Sequence, residues 1–260
     1  MIRPGLCSIT LRALSVEEVL DVAVRAGLRC VEWGGDIHVP AGDVATARRV
    51  AALTSDAGLA VASYGSYFRA GASDDDEFGS VVASAAALGA TRIRIWAGTL
   101  GSAEADAAYR RAVVESTRRA ADLAAAEGIA LGYEFHGNTL TDDVDSALRL
   151  LAEVGRDNVT SYWQPPNGMA DAAAVETLRR LGDIVPAVHV FSWWPGTERL
   201  PLGDRAALWQ DTFAVLRDRA RPVDALMEFV PGDDPSNVVR DAAELRRLIM
   251  ISDRQDNQAG

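Results

Sequence analysis

The sequence predicts an α/β protein, a single (β/α)8 TIM barrel, and three observations carry that expectation. Short β-rich runs alternate eight times with longer amphipathic segments rich in alanine, leucine and arginine, a pattern that demands a parallel sheet. The length of 260 residues suits one closed barrel better than an open doubly wound sheet. No glycine fingerprint for a dinucleotide follows the first strand, where an open sheet of that kind would place it.

In chain order, strands are expected at Gly5–Ile9, Cys30–Gly34, Ala60–Tyr67, Arg92–Ala97, Ala130–Phe135, Val159–Trp163, Ala187–Ser192 and Ala225–Val230. Helices are expected near residues 15–26, 43–57, 74–88, 103–127, 141–153, 171–181, 203–219 and 235–249. Helix starts are marked by Ser15 before Glu17 and Glu18, Ser102 before Glu104, and Thr141 before Asp142 and Asp143. A polar cap followed by acidic residues satisfies the free N–H groups and the positive end of the helix dipole. Gly27, Gly58, Gly89, Gly128 and Gly155 follow five of the helices, where a left-handed cap is wanted. Residues 1–250 are expected to form the barrel and 251–260 a flexible C-terminal tail.

Composition narrows the function. Apolar residues make up 48% of the chain, enough for a large core. A formal charge of −11 argues against nucleic acid, whose phosphates require a basic face. The two cysteines, Cys7 and Cys30, show neither a pairing pattern nor metal-type spacing, which suits a reducing cytosol. The opening MIRPGLCSIT has no apolar signal core, and no apolar run approaches a membrane span. A cytoplasmic protein is expected, with no membrane and no nucleic-acid partner.

Two of the charges inside strands call for each other. Glu32 and Arg94 lie mid-strand on the second and fourth strands, alternate strands that feed one interior layer of a barrel. Opposite charges buried there must pair, so a structural Glu32–Arg94 pair is expected.

Chemistry in such a barrel sits where strands deliver their C-terminal residues. The fifth strand ends in LGYEFHG, the sixth in YWQPP, the seventh in VHVFSW and the eighth in LMEFVP. Each brings one ligand-type residue to the rim: Glu134, Gln164, His189 and Glu228. Two carboxylates, an imidazole and an amide oxygen form a credible site for a divalent cation. The carboxylates have apolar neighbours on both sides, an environment in which an ionised group needs a partner or a metal. His136 shares the face of Glu134 but reaches further out, as a substrate contact would. Trp33, Trp96, Tyr64, Tyr67, Phe191 and Trp193 lie near strand ends, where flat rings can stack on a sugar. His38, in the loop after the second strand, and Arg199, after the seventh, complete the candidate substrate contacts.

The segments GYEFHGNTLTDD, VHVF and LMEF resemble the xylose isomerase-like TIM-barrel superfamily, the sugar phosphate isomerase/epimerase family. That superfamily includes ketose 3-epimerases, inosose dehydratases and endonuclease IV. The resemblance implies one divalent metal ion (Mn, Mg or Co, with Zn an option) held by Glu, Asp, His and Glu on strands five to eight. Carried over by position, these are Glu134, Gln164, His189 and Glu228. Gln164 departs from the pattern: it keeps a carbonyl oxygen for a hard cation but removes one negative charge. The resemblance further implies that Glu134 and Glu228 move a proton beside a ketose carbonyl through an enediolate, giving isomerisation or epimerisation, and that Arg199 corresponds to a substrate-contacting basic residue. A sugar or cyclitol dehydratase, or a sugar-binding barrel that has lost its metal, stays open as an alternative. The partner expected is a small carbohydrate, and a homo-oligomer is in keeping with the family. A nuclease of the endonuclease type needs many histidines, and this chain has three.

Overall fold

The structure is a computed structural model and describes residues 1–219 and 221–255. Eight parallel strands form the barrel: β1 (Ile2–Cys7), β2 (Cys30–Gly34), β3 (Ala60–Arg69), β4 (Arg92–Trp96), β5 (Ala130–Tyr133), β6 (Val159–Ser161), β7 (Ala187–Val190) and β8 (Val223–Met227). Neighbouring ladders run from β6 through β5, β4, β3, β2 and β1 to β8 and then β7. Among the described residues the backbone of the seam between β6 and β7 is closed by Trp163. Its N–H donates to Ala187 O at 3.1 Å and its carbonyl accepts from His189 N at 3.0 Å. The expected (β/α)8 TIM barrel is therefore the observed one.

Among the described residues eight α-helices surround the strands: α1 (Val16–Arg25), α2 (Val44–Asp56), α3 (Phe78–Leu88), α4 (Ala107–Ala126), α5 (Val144–Val154), α6 (Asp171–Leu181), α7 (Ala206–Arg217) and α8 (Pro235–Gln255). Ser15 and Glu18 form a reciprocal capping box on α1, as the sequence suggests. Elsewhere the caps move. Asp106 rather than Ser102 caps α4, and Asp143 rather than Thr141 caps α5, because the two helices begin only at Ala107 and Val144; Ser102 N instead donates to the Asp142 carboxylate at 3.0 Å and Thr141 Oγ1 to the Glu134 carbonyl at 2.6 Å. All five expected helix-ending glycines have positive φ. A two-residue ribbon, Ser192–Trp193 against Arg199–Leu200, follows β7. No helix among the described residues is long and apolar enough to cross a membrane. Helix α8 continues to Gln255, past the expected boundary at residue 250; residues 256–260 of the expected tail lie outside the described residues.

The barrel interior is built in layers, with large side chains admitted by glycine. At Gly132 a Cβ would lie 2.5 Å from the Tyr162 ring, and at Gly65 it would lie 3.0 Å from Glu32 Oε1 and 3.1 Å from Arg94 Nη2. These two positions are bare because a tyrosine ring and an ion pair fill the space their side chains would take.

Candidate active site

The pleat decides which residues reach the interior. On β7, His189 points inward and is fully buried. Past the end of β6, Tyr162 and Gln164 turn inward while Trp163 turns out to α6, where its indole N–H donates to Thr177 Oγ1 at 2.9 Å. Glu134 and Glu228 each follow directly on the last residue of their strand, and the ladder still grips their backbones. Glu134 N donates to Ile95 O at 2.9 Å and Glu228 N to Val190 O at 3.0 Å. After Glu228 the chain takes an unusual step: Phe229 has φ 49°, sparsely populated by aromatic residues, and its N–H donates to Thr10 Oγ1 at 3.0 Å. That step lets Glu228 and Phe229, adjacent in sequence, both line the same cavity.

The four ligand-type residues converge on one nitrogen. His189 Nδ1 lies 3.0 Å from Gln164 Oε1, 3.4 Å from Glu228 Oε2 and 3.9 Å from Glu134 Oε1. The expected Glu32–Arg94 pair is present, with Arg94 Nε donating to Glu32 Oε1 at 3.1 Å. Arg94 does more than sequence reasoning assigned to it: its Nη1 also donates to Glu134 Oε2, which accepts the Trp96 indole N–H as well. Glu134 thus has one oxygen committed to Arg94 and Trp96 and the other turned toward His189.

Electrostatics follow from this geometry. Burial alone would raise the Glu134 carboxyl, but the Arg94 guanidinium outweighs it, helped by His189, His136 and Trp96, and holds it below the usual range. Glu32 is likewise penalised by burial and pulled down by Arg94, His189 and Ser63. Burial opposes a charged His189, yet Glu228 and the rest of the cluster push its pKa well above the usual imidazole value. Burial pushes the Cys7 thiol beside it up to about 12, so Cys7 is a neutral neighbour.

A divalent ion fits the donor set. Three carboxylates (Glu32, Glu134 and Glu228) face one guanidinium (Arg94) among buried groups, which leaves two negative charges uncompensated when His189 is neutral. The three oxygens around His189 Nδ1 are hard donors suited to Mn2+ or Mg2+. Glutamine at 164 supplies its oxygen without adding a third charge to the ring. Cys7, His189 and Glu228 also lie close enough together to share an ion, but the neutral, buried thiol favours the oxygen-rich side.

The cavity above these groups has a volume of about 230 Å3. Trp96, His136, Phe191 and Trp193, all expected as substrate contacts, line it. His136 stacks on Trp96 at 5.5 Å and Arg69 lies over the same indole at 3.4 Å. Arg12, Tyr67 and Asn167 line it too. Asn167 closes the QPPN segment that holds Gln164, a signal the sequence did carry. Arg12 had none, for it is brought in by contacts with the Tyr67 hydroxyl and Asp36.

Four expected contacts lie elsewhere. Trp33 alternates with the inward Glu32, so it points outward, fully buried, and donates to Thr54 Oγ1 of α2 at 3.1 Å. His38 is consumed by its own loop: its ring nitrogens lie 3.0 Å from Ser8 Oγ and 3.1 Å from Leu14 O, and burial lowers its pKa. Tyr64 donates to Val39 O at 2.8 Å and lines a separate cavity of about 400 Å3 that shares only Tyr67 with the first. Arg199 stands behind the lining rings, over Phe229 at 4.8 Å and Trp193 at 5.6 Å, and pairs with Asp233 at 2.6 Å.

Known proteins share this frame. The chain is similar to the probable 3-DHS dehydratase AsbF of Bacillus anthracis over 95% of its own length and 98% of that chain, with 21% identity and a TM-score of 0.79. It is similar to an L-ribulose 3-epimerase over 100% and 98% of the two chains, with 16% identity and a TM-score of 0.79. A D-allulose 3-epimerase from Methylomonas sp., in complex with D-allulose, matches over 95% and 96% with 19% identity and a TM-score of 0.70. At these identities the likeness establishes the fold. No curated protein sequence matches the chain. Residues 20–249, however, match the family described as xylose isomerase-like TIM barrel, and on that match the chain belongs to the xylose isomerase-like TIM-barrel family.

Proposed function

We propose that the protein is a divalent-metal-dependent enzyme that moves a proton beside the carbonyl of a sugar or sugar derivative, as an isomerase or epimerase. The observation that carries this reading is the convergence of Glu134 Oε1, Gln164 Oε1 and Glu228 Oε2 on His189 Nδ1 beneath an aromatic-lined cavity. Glu134, Gln164, His189 and Glu228 would hold the ion, which when bound supplies positive charge opposite the oxygens of an enediolate.

The chain's own residues do the rest. Glu134 and Glu228 come from β5 and β8 on either side of His189, so a substrate carbon above the imidazole meets a carboxylate on each flank. One takes the proton and the other returns it, which inverts the carbon when they act from opposite faces. Arg94 and Trp96 keep Glu134 ionised and fix its orientation, a precondition for a base. Trp96, Phe191 and Trp193 offer apolar faces to the C–H side of a sugar ring, while His136, Asn167 and Arg12 can read its hydroxyls. Arg199 acts here through the rings it supports rather than by touching the substrate. The free, buried Cys7 and Cys30 suit a cytoplasmic setting.

The likeness to a probable dehydratase at the same TM-score as an epimerase supports a second reading, the same proton removal followed by loss of a β-hydroxyl. One experiment tests both: metal content by elemental mass spectrometry before and after chelation and Mn2+ add-back, followed by a panel of ketoses and keto-sugars in D2O. About one ion per chain with deuterium entering the carbon beside the carbonyl supports the proposal, and product mass separates epimer from dehydrated product. No ion and no exchange over the panel would overturn it.

A further inference from the structure

Glu32 is the buried carboxylate for which the proposed chemistry has no use. It sits on β2, below the cavity, and is shielded from solvent and substrate alike. Its two oxygens are nonetheless engaged on three sides. Oε2 accepts from Ser63 Oγ at 2.6 Å. Oε1 accepts from Arg94 Nε at 3.1 Å and stands 3.6 Å from His189 Nε2. Cys7 Sγ lies 3.9 Å from the same oxygen.

The ring of His189 is fully buried, and its Nε2 makes no hydrogen bond. All three candidate ligand oxygens lie on the other side, around Nδ1. A histidine that binds metal through one nitrogen needs its second N–H directed at an acceptor, usually a carboxylate, to fix the tautomer and the ring orientation. Glu32 is the carboxylate that Nε2 faces. The separation exceeds a hydrogen bond, so the coupling is between the carboxylate charge and the N–H dipole across a dry interior, where such interactions are strong.

We propose that Glu32 is a positioning residue for the candidate metal site. It holds the Nε2 edge of the His189 ring, so that Nδ1, which faces only the acceptor oxygens of Gln164, Glu228 and Glu134, is the nitrogen that gives up its proton when an ion binds there. Through Arg94 the same carboxylate anchors the guanidinium that occupies Glu134 Oε2, leaving Oε1 for the ring of ligands. One group that never touches substrate thereby selects the presented atom of two ligands. Gly65 belongs to this arrangement, because a side chain there would displace both Glu32 and Arg94. The inference rests on the metal-dependent reading above.

The test compares wild type with Glu32→Gln and with Ser63→Ala, which keeps the carboxylate but removes the hydrogen bond holding Oε2. Two quantities are read: the Mn2+ dissociation constant by calorimetry, and the protonated ring nitrogen of His189 from 15N shifts with and without Mg2+. The expected result for Glu32→Gln is Mn2+ binding weaker by about 10–100-fold, with a smaller fraction of the Mg2+-loaded ring protonated at Nε2 and open at Nδ1. Ser63→Ala shifts both in the same direction by a smaller factor, and it decides the matter should Glu32→Gln fail to fold. Unchanged Mn2+ affinity and an unmoved ring proton would overturn the positioning role while leaving the metal site standing. If wild type binds no Mn2+, the metal reading fails and this inference with it, an outcome distinct from wild-type binding that neither variant weakens.

Discussion

Arg92 and Arg94 leave the same strand two residues apart, on the same face, and enter opposite kinds of company. At the floor of the barrel, Arg92 and Arg3 both grip one carboxylate, Asp224, with Arg3 Nε at 2.7 Å and Nη2 at 3.0 Å. One layer higher, a single guanidinium faces Glu32, Glu134 and the neighbouring Glu228. The floor has more cation than anion; the mouth has more anion than cation, and a histidine. The same residue types thus make a closed structural clamp at one end and, at the other, a site short of positive charge. In barrels of this kind the N-terminal face serves stability and the C-terminal face chemistry, and the balance of charge shows which is which without reference to any substrate.

Breaking the two layers separately should give opposite phenotypes. The largest effect is expected at the mouth: Glu228→Gln should lower substrate-dependent deuterium exchange by roughly 10²–10⁴-fold, with the urea midpoint close to wild type. Retention of exchange would dissolve the distinction between the layers. At the floor, Asp224→Ala strands Arg92 without its carboxylate and should cost about 3–5 kcal/mol in urea unfolding, while exchange per folded molecule stays near wild type. Trp96→Phe removes the indole N–H from Glu134 but keeps a ring beside His136. A hydrogen bond to a carboxylate of about 1.4 kcal/mol corresponds to a roughly tenfold slower exchange, seen in the rate rather than in the melting curve.

Acid sharpens the comparison further. Glu32 and Glu134 are held below the ordinary carboxylate range in the folded protein. Their stabilising share is therefore complete above the unfolded value near pH 4.3 and drains away as pH falls through the depressed folded values. Metal-free Glu32→Gln should accordingly show a shallower loss of stability below about pH 4 than wild type, measured by urea titration at several pH values. The smallest effect belongs to Arg199→Ala. Its pair with Asp233 is half exposed and worth about 0–1 kcal/mol, so only a modest rise in KM is expected as Trp193 and Phe229 lose their support.

Much of this is legible in the sequence. The strand-helix alternation set the barrel, and the polar residues at the last four strand ends marked Glu134, Gln164, His189 and Glu228, which the fold brings together. The errors share physical causes. Strands β1 and β8 begin earlier than their composition suggests, at Ile2 and Val223, because they pair with each other from those residues, and a partner's register is invisible in one strand. Trp33 was misplaced because an aromatic near a strand end says nothing about pleat direction; the inward Glu32 beside it does. His38 and Arg12 sit on loops whose paths are set by distant contacts with Ser8, Leu14, Tyr67 and Asp36. The second contact of Arg94, to Glu134, depends on how far across the interior a guanidinium reaches, and spacing along the chain does not record that.

The Trp163 seam gives the site a mechanical side. Seven joints of the barrel are laced by ladders, whereas among the described residues the backbone hydrogen bonds across the β6–β7 joint are the two of Trp163. Gln164 and His189 stand on opposite lips of that joint, already 3.0 Å apart. Whatever is gripped between them acts as a rivet across the weakest line of the cylinder. Filling the pocket then reinforces a joint that is already closed, and the amide hydrogens of Trp163 and His189 would exchange more slowly with the rivet in place.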